Sequence, residues 1–206
     1  MLTTILTSIA TFIATGIDEI IVLTIIFVEV KNAKDIRDVY IGQQISMIVL
    51  LLISLLAAFG FAHIPNEYVG LLGIIPLAEG MRILFDRNYD DDDYEEKDVL
   101  QRLKKYRSLI VSIALIAIAG GAEELSIYIP YFASLDTTNL IVAVITFNVL
   151  VPVWCTMCRK ISSLKHVQNT VEKYEKILVP VVFIGLGIWV LIENGTLDLI
   201  RGVIGN

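Results

Sequence analysis

Long apolar runs separated by short polar stretches fill this chain from one end to the other. The runs cover roughly 2–30, 40–62, 69–85, 108–133, 139–157 and 177–193. A helix rises about 1.5 Å per residue, so a run of about 17 residues just crosses a hydrocarbon core of about 30 Å. The pattern therefore predicts an all-α membrane protein with six transmembrane helices. The first and fourth runs are longer than a span requires, which predicts that they tilt or break. A chain of 206 residues patterned this way leaves room for one transmembrane domain and no separate soluble one.

Composition agrees with the pattern. Apolar residues make up 56% and charged residues 18%, with a mean hydropathy of +0.74, which excludes an ordinary soluble domain. The first run lacks a basic n-region and a small-x-small cleavage site before its acids, so it is expected to be retained. The net charge of −6 comes mainly from Asp90-Asp91-Asp92-Asp93-Tyr94-Glu95-Glu96, which reads as a solvated loop and argues against a nucleic-acid partner. Basic residues follow the first, third and fifth runs: Lys31, Lys34 and Arg37; Arg87, Lys97, Arg102, Lys104, Lys105 and Arg107; and Arg159, Lys160, Lys165, Lys173 and Lys176. The stretches around His63–Glu67 and Ser134–Asn139 have none. The positive-inside rule then puts both termini outside and three loops in the cytoplasm.

Two adjacent acid pairs, Asp18-Glu19 and Glu123-Glu124, interrupt the first and fourth runs. An acid at the centre of a membrane helix costs about 2.5–3.5 kcal/mol on insertion scales, and no Lys or Arg shares these runs to neutralise them. They are the primary candidates for a cation or substrate site. The pairs stand 105 positions apart (123 − 18 and 124 − 19), and the same offset carries Gly16 to Gly121, Phe27 to Phe132 and Gln43 to Asn148. Gly80 and Gly187 differ by 107 (187 − 80), which a two-residue loop change accommodates. With three spans in each half, such a repeat is inverted across the membrane, an arrangement that in secondary transporters puts the site near the midplane at broken helices. The halves are about 1–86 and 107–206, joined by an acidic cytoplasmic loop at about 87–106.

Thr15-Gly16 precedes the first acids and Gly120-Gly121 the second, so these four residues are the predicted helix breaks, glycine being tolerant of unusual backbone angles. Carboxylates with Gln43 and Asn148 as neutral oxygen donors suit a divalent cation. Cys155 and Cys158 form a C-x-x-C on one helical face; thiolates attract soft metals, although buried cysteines commonly serve packing. Glu79 is a second-rank candidate, three residues from Arg82 and able to form a local pair with it. His63 and His166 read as ordinary polar residues.

Thr15-Gly16-Ile17-Asp18-Glu19, the Gly42-Gln43 step, Gly70-Leu71-Leu72-Gly73-Ile74-Ile75-Pro76 and Tyr128-Ile129-Pro130-Tyr131-Phe132 together resemble the cadmium resistance transporter family, CadD-like members of the LysE superfamily of small exporters. The resemblance covers nearly the whole chain and implies export of cadmium, with zinc or another divalent metal, from a bacterial cytoplasm across the plasma membrane. It carries the first acidic motif onto Asp18 and Glu19 and a membrane amide onto Gln43. The chain departs from the family pattern at Glu123-Glu124, where Asp followed by Asn is expected, and at Glu79, where an apolar residue is usual; both changes favour a harder metal such as manganese. The expected mechanism is alternating access with protons as coupling ion. No cofactor is called for, the metal being substrate, and no Walker A sequence suggests ATP hydrolysis. The sequence leaves a homodimer open. Competing classes are an exporter of an organic cation or amino acid, a passive channel, and an intramembrane enzyme using the paired acids, the last disfavoured by the recurrence of the acids and by the lack of a Ser/His pair.

Overall fold

The computed structural model describes residues 1–17, 19–61, 65–85, 96–162 and 168–196, and for 66–67, 96–98, 122–123 and 168–178 the backbone alone. Among these residues every element is helical. In order they are α1 (Leu2–Thr15), α2 (Glu19–Glu29), α3 (Ala33–Phe61), α4 (Asn66–Val69) with a 3₁₀ turn (Gly70–Gly73), α5 (Ile74–Phe85), α6 (Glu96–Lys104), α7 (Leu109–Gly120), α8 (Ala122–Ala133), α9 (Thr137–Ile161) and α10 (Gln168–Glu193).

Helices α3 and α9, of 29 and 25 residues, are each long and apolar enough to cross a bilayer. Both show an outward apolar stripe at helical spacing: Ile41, Ile45, Ile48, Leu52, Leu56 and Phe59 on α3, and Ile141, Ile145, Val149 and Val153 on α9 are all exposed. Such a surface would be a liability in water and is what lipid tails cover. The opposite face of α9 buries Ala143, Phe147, Val151, Trp154, Cys155 and Cys158. The chain is a membrane protein, with two crossing helices by length and composition, or up to four when each bent pair below counts as one span.

The predicted breaks are present. Helix α1 meets α2 at 68° and α7 meets α8 at 74°. The glycines at them are not kept for unusual backbone angles. Gly16 (φ −94°, ψ 3°) and Gly121 (φ −72°, ψ 1°) have backbone angles open to any residue. The glycines instead bring neighbours close: a Cβ on Gly16 would lie 3.3 Å from the Trp154 indole, and one on Gly121 would lie 2.4 Å from Leu50 Cδ1, the tip of a flexible side chain. The glycines let α9 and α3 close over the breaks.

Each broken helix leans on the long helix of the other half. On α1, Phe12 packs edge-on against Phe147 and Trp154 of α9, both at 5.7 Å between ring centroids. On α3, Gly42 admits Ile113 of α7 so closely that a Cβ would sit 2.8 Å from its Cβ. The short helix α5 and the longer α10 cross through glycines: a Cβ on Gly80 would meet Ile184 at 2.9 Å, and one on Gly187 would meet the Leu77 backbone at 2.7 Å. These two contacts exchange under the 107-residue offset (187 − 80 and 184 − 77).

Three stretches depart from the hydropathy pattern. The third run is interrupted, because Gly70 and Gly73 fold into a 3₁₀ turn pressed against Asn194, Thr196, Gly187 and Val190, leaving α5 just 12 residues. The predicted loop at 87–106 contains α6, whose Val99 and Leu103 are buried one turn apart and whose Lys104 Nζ lies 3.7 Å from Glu29 Oε1 on α2. Helices α9 and α10 begin before their apolar runs. Asp136 caps α9, its Oδ1 accepting the N–H groups of Thr138 and Asn139 at 2.9 and 3.0 Å. Those bonds, the Asn139 backbone N–H foremost, hold the Asp136 carboxyl below the usual carboxylate range.

Candidate metal-transport site

The break after α1 and the break before α8 meet in the interior. Glu19 opens α2 and Glu124 lies in the first turn of α8. Both side chains are partly buried. Gln43, buried on α3, donates from Nε2 to Glu19 Oε1. Tyr128, one turn beyond Glu124, ties the two breaks together: its hydroxyl is 2.9 Å from Thr15 Oγ1 and is hydrogen-bonded to the Glu124 side chain. The charge of Glu19 also reaches Tyr128.

Asp18 lies outside the described residues, and the side chain of Glu123 does too. Among the described residues no three His, Cys, Asp or Glu side chains gather as a metal cluster. Asn148 does not mirror its repeat partner Gln43: its Oδ1 accepts from Gln44 Nε2 at 2.7 Å, and its own Nδ2 donates to the Val144 carbonyl at 2.8 Å. It thereby joins α9 to α3 one residue along from the Gln43–Glu19 pair. Cys155 and Cys158 are free thiols, wholly buried on α9 and within reach of the Glu19 charge. Glu79 pairs with Arg82 at 3.0 Å on a well-exposed stretch of α5, as the local spacing predicted. Gly120 is exposed at the end of α7.

Around these groups stands a close aromatic shell. Tyr128 packs edge-on to Phe147 at 4.9 Å, with Tyr131 and Phe132 also against Phe147. Two polar atoms within it make no hydrogen bond, Thr11 Oγ1 and Trp154 Nε1. The model of the cadmium resistance transporter family matches residues 12–203. The chain belongs to that family. Comparison with the curated proteins gives no match, and comparison with the solved structures gives none. A cadmium resistance transporter moves ions rather than transforming them, which accords with acids set at helix breaks inside apolar spans. Sequence reasoning missed the tyrosines and the α1 hydroxyls, taking Thr15 only as part of a helix break. Tyr128 is four residues after Glu124, and Thr4, Ser8, Thr11 and Thr15 repeat at 4, 3 and 4, a helical period that was there to be read.

Proposed function

We propose that this chain exports divalent heavy-metal cations, cadmium foremost and zinc or manganese besides, from the bacterial cytoplasm by alternating access in exchange for protons. The observation that carries it is the meeting of two helix breaks, each bearing acids, through the Thr15–Tyr128–Glu124 contact. Asp18, Glu19, Glu123 and Glu124 serve as the metal ligands. Gln43 positions Glu19, and Cys155 and Cys158 give the inner side a soft-metal preference. Protons and metal compete for the same carboxylate oxygens, so protonation on the outer side releases the cation.

The six-span, inverted-repeat reading is supported by two pairings. Helix α1 packs on α9 while its counterpart α7 packs on α3, and the Gly80–Ile184 and Gly187–Leu77 contacts exchange under one offset. Rocking of one half against the other then alternates access. Membership of the LysE superfamily and a multi-pass plasma-membrane location with both termini outside complete the reading.

Purified protein in proteoliposomes tests it, with a metal-sensitive dye and a pH dye inside. Cadmium flux accompanied by opposite proton movement is expected, and Glu19→Gln or Glu124→Gln, folded and reconstituted, is expected to lose it. Undiminished flux in these variants refutes the site. Voltage-driven metal current without proton movement refutes the exchange mechanism.

A further inference from the structure

Helix α1 carries four hydroxyls on one face. Thr4, Ser8, Thr11 and Thr15 are buried, at 7%, 0%, 1% and 5% exposure, whereas Leu6 on the same helix is 59% exposed. A polar face inside an apolar bundle is costly unless its groups are bonded. Two of these hydroxyls are bonded to phenols of α8, and one phenol also bonds the helix backbone. Thr15 Oγ1 lies 2.9 Å from Tyr128 Oη, Ser8 Oγ lies 2.7 Å from Tyr131 Oη, and Tyr131 Oη donates to the Thr4 carbonyl at 3.3 Å. Thr4 Oγ1 continues the line, donating to Asn139 Oδ1 at 2.7 Å. Asn139 Nδ2 in turn donates to Asp136 Oδ2 at 2.6 Å, at the exposed start of α9.

The line thus runs from Glu124, through Tyr128, to the 134–139 stretch at the start of α9, which has no Lys or Arg. It is interrupted at one place. Thr11 Oγ1 is buried between Ser8 and Thr15 and makes no hydrogen bond. A hydroxyl left unpaired in this way destabilises the state that buries it, and the cost disappears in any state where water reaches that face. The carboxylates at one end, the solvent-facing cap at the other and a hydroxyl waiting for water in between are the parts of a passage that opens.

We propose that the α1–α8 hydroxyl seam lines the route by which a hydrated divalent cation passes between the carboxylates and the 134–139 end of the bundle. In this structure the route is closed. The proposal rests on the transport reading above. Helices α1 and α8 each join the rest of their span through a break, so they can part without unwinding α2 or α7. Their hydroxyl oxygens then face the passage as neutral ligands, replacing water around the cation without trapping it as further carboxylates would. The α1 residues opposite, such as Leu6, stay in lipid.

Cysteine accessibility tests this in the reconstituted full chain. A membrane-impermeant quaternary-ammonium thiol reagent is applied from the 134–139 side to Thr11→Cys, to the near-isosteric Ser8→Cys, and to Leu6→Cys. The unsubstituted protein, whose two native cysteines are wholly buried, supplies the background. The buried positions are expected to react well above background while the outward-facing Leu6 position does not. No reaction at both buried positions in variants that still transport overturns the proposal. Independently, Thr11→Val is expected to lower metal efflux about fivefold, the factor matching about 1 kcal/mol of lost hydration in the open state, with Thr11→Ser restoring it. A purely structural Thr11 would give a Val variant of undiminished efflux, and that result also overturns the proposal. Failure of the metal reading is seen separately, as absent metal flux in the unsubstituted protein, and the labelling contrast still decides the route.

Discussion

Replacing Gly187 by alanine tests the packing that joins the two halves. A Cβ there would lie 2.6 Å from the Gly73 carbonyl oxygen, 2.7 Å from Leu77 N and 2.8 Å from Leu77 Cβ. Carbon atoms in ordinary contact sit about 3.5–4.0 Å apart, so α10 must retreat by about 1 Å. Two of the three obstacles are backbone, so no rotamer change relieves them. Overpacking of this kind costs about 1–3 kcal/mol, and this site belongs at the upper end. Gly185 is on the same helix, yet a Cβ there meets nothing within 4 Å. Alanine at that position recovers up to about 1 kcal/mol of helix propensity. The two single-methyl variants should therefore differ by about 2–4 kcal/mol, or roughly 5–15 °C in melting temperature for a chain of this size. Circular dichroism of the detergent-purified proteins at rising temperature measures the gap. Gly80→Ala, facing Ile184 at 2.9 Å, should fall on the destabilised side with Gly187→Ala. Equal melting of Gly187→Ala and Gly185→Ala would refute the argument.

At the site, Gln43→Leu removes the amide that orients Glu19 and should weaken metal binding about 10- to 100-fold, read by titration calorimetry. Gln44→Leu, whose bond goes to Asn148, should cost much less, and equal losses would show that Gln43 has no special part. Tyr128→Phe keeps the ring against Phe147 but cuts the link between the breaks; it should melt near the unsubstituted protein yet export metal several-fold more slowly, and an unchanged rate would reduce Tyr128 to packing. Because Asp136 is held below its unfolded value, its cap stabilises α9 above the unfolded pKa and loses that contribution as pH falls through the folded one. Asp136→Ala should therefore flatten the acid side of the stability profile, and an identical profile in both proteins would contradict this.

The two long helices and the two broken ones were legible because apolar length and acids in apolar surroundings are strong local signals. The part played by the glycines was not. Glycine suggests unusual backbone angles when read alone, whereas here Gly16 and Gly121 matter for what lies across from them, Trp154 and Leu50. Residues so distant in sequence cannot be paired by periodicity. The same limit hid the 3₁₀ turn at Gly70–Gly73, which answers to Asn194 and Thr196, and the swap that gives Asn148 to Gln44 rather than to an acid. Helix α6 was obscured differently, since its nine residues carry so many charges that the Val99 and Leu103 pair barely registers in a hydropathy average.

The partners of α1 are also a matter of timing. Thr15, Ser8 and Thr4 find their hydroxyl and amide partners 113, 123 and 135 residues later in the chain. A ribosome delivers α1 to the membrane first and α8 and α9 long afterwards, so these partners do not exist until more than half the protein has been made. Folding of the first half is thereby contingent on synthesis of the second.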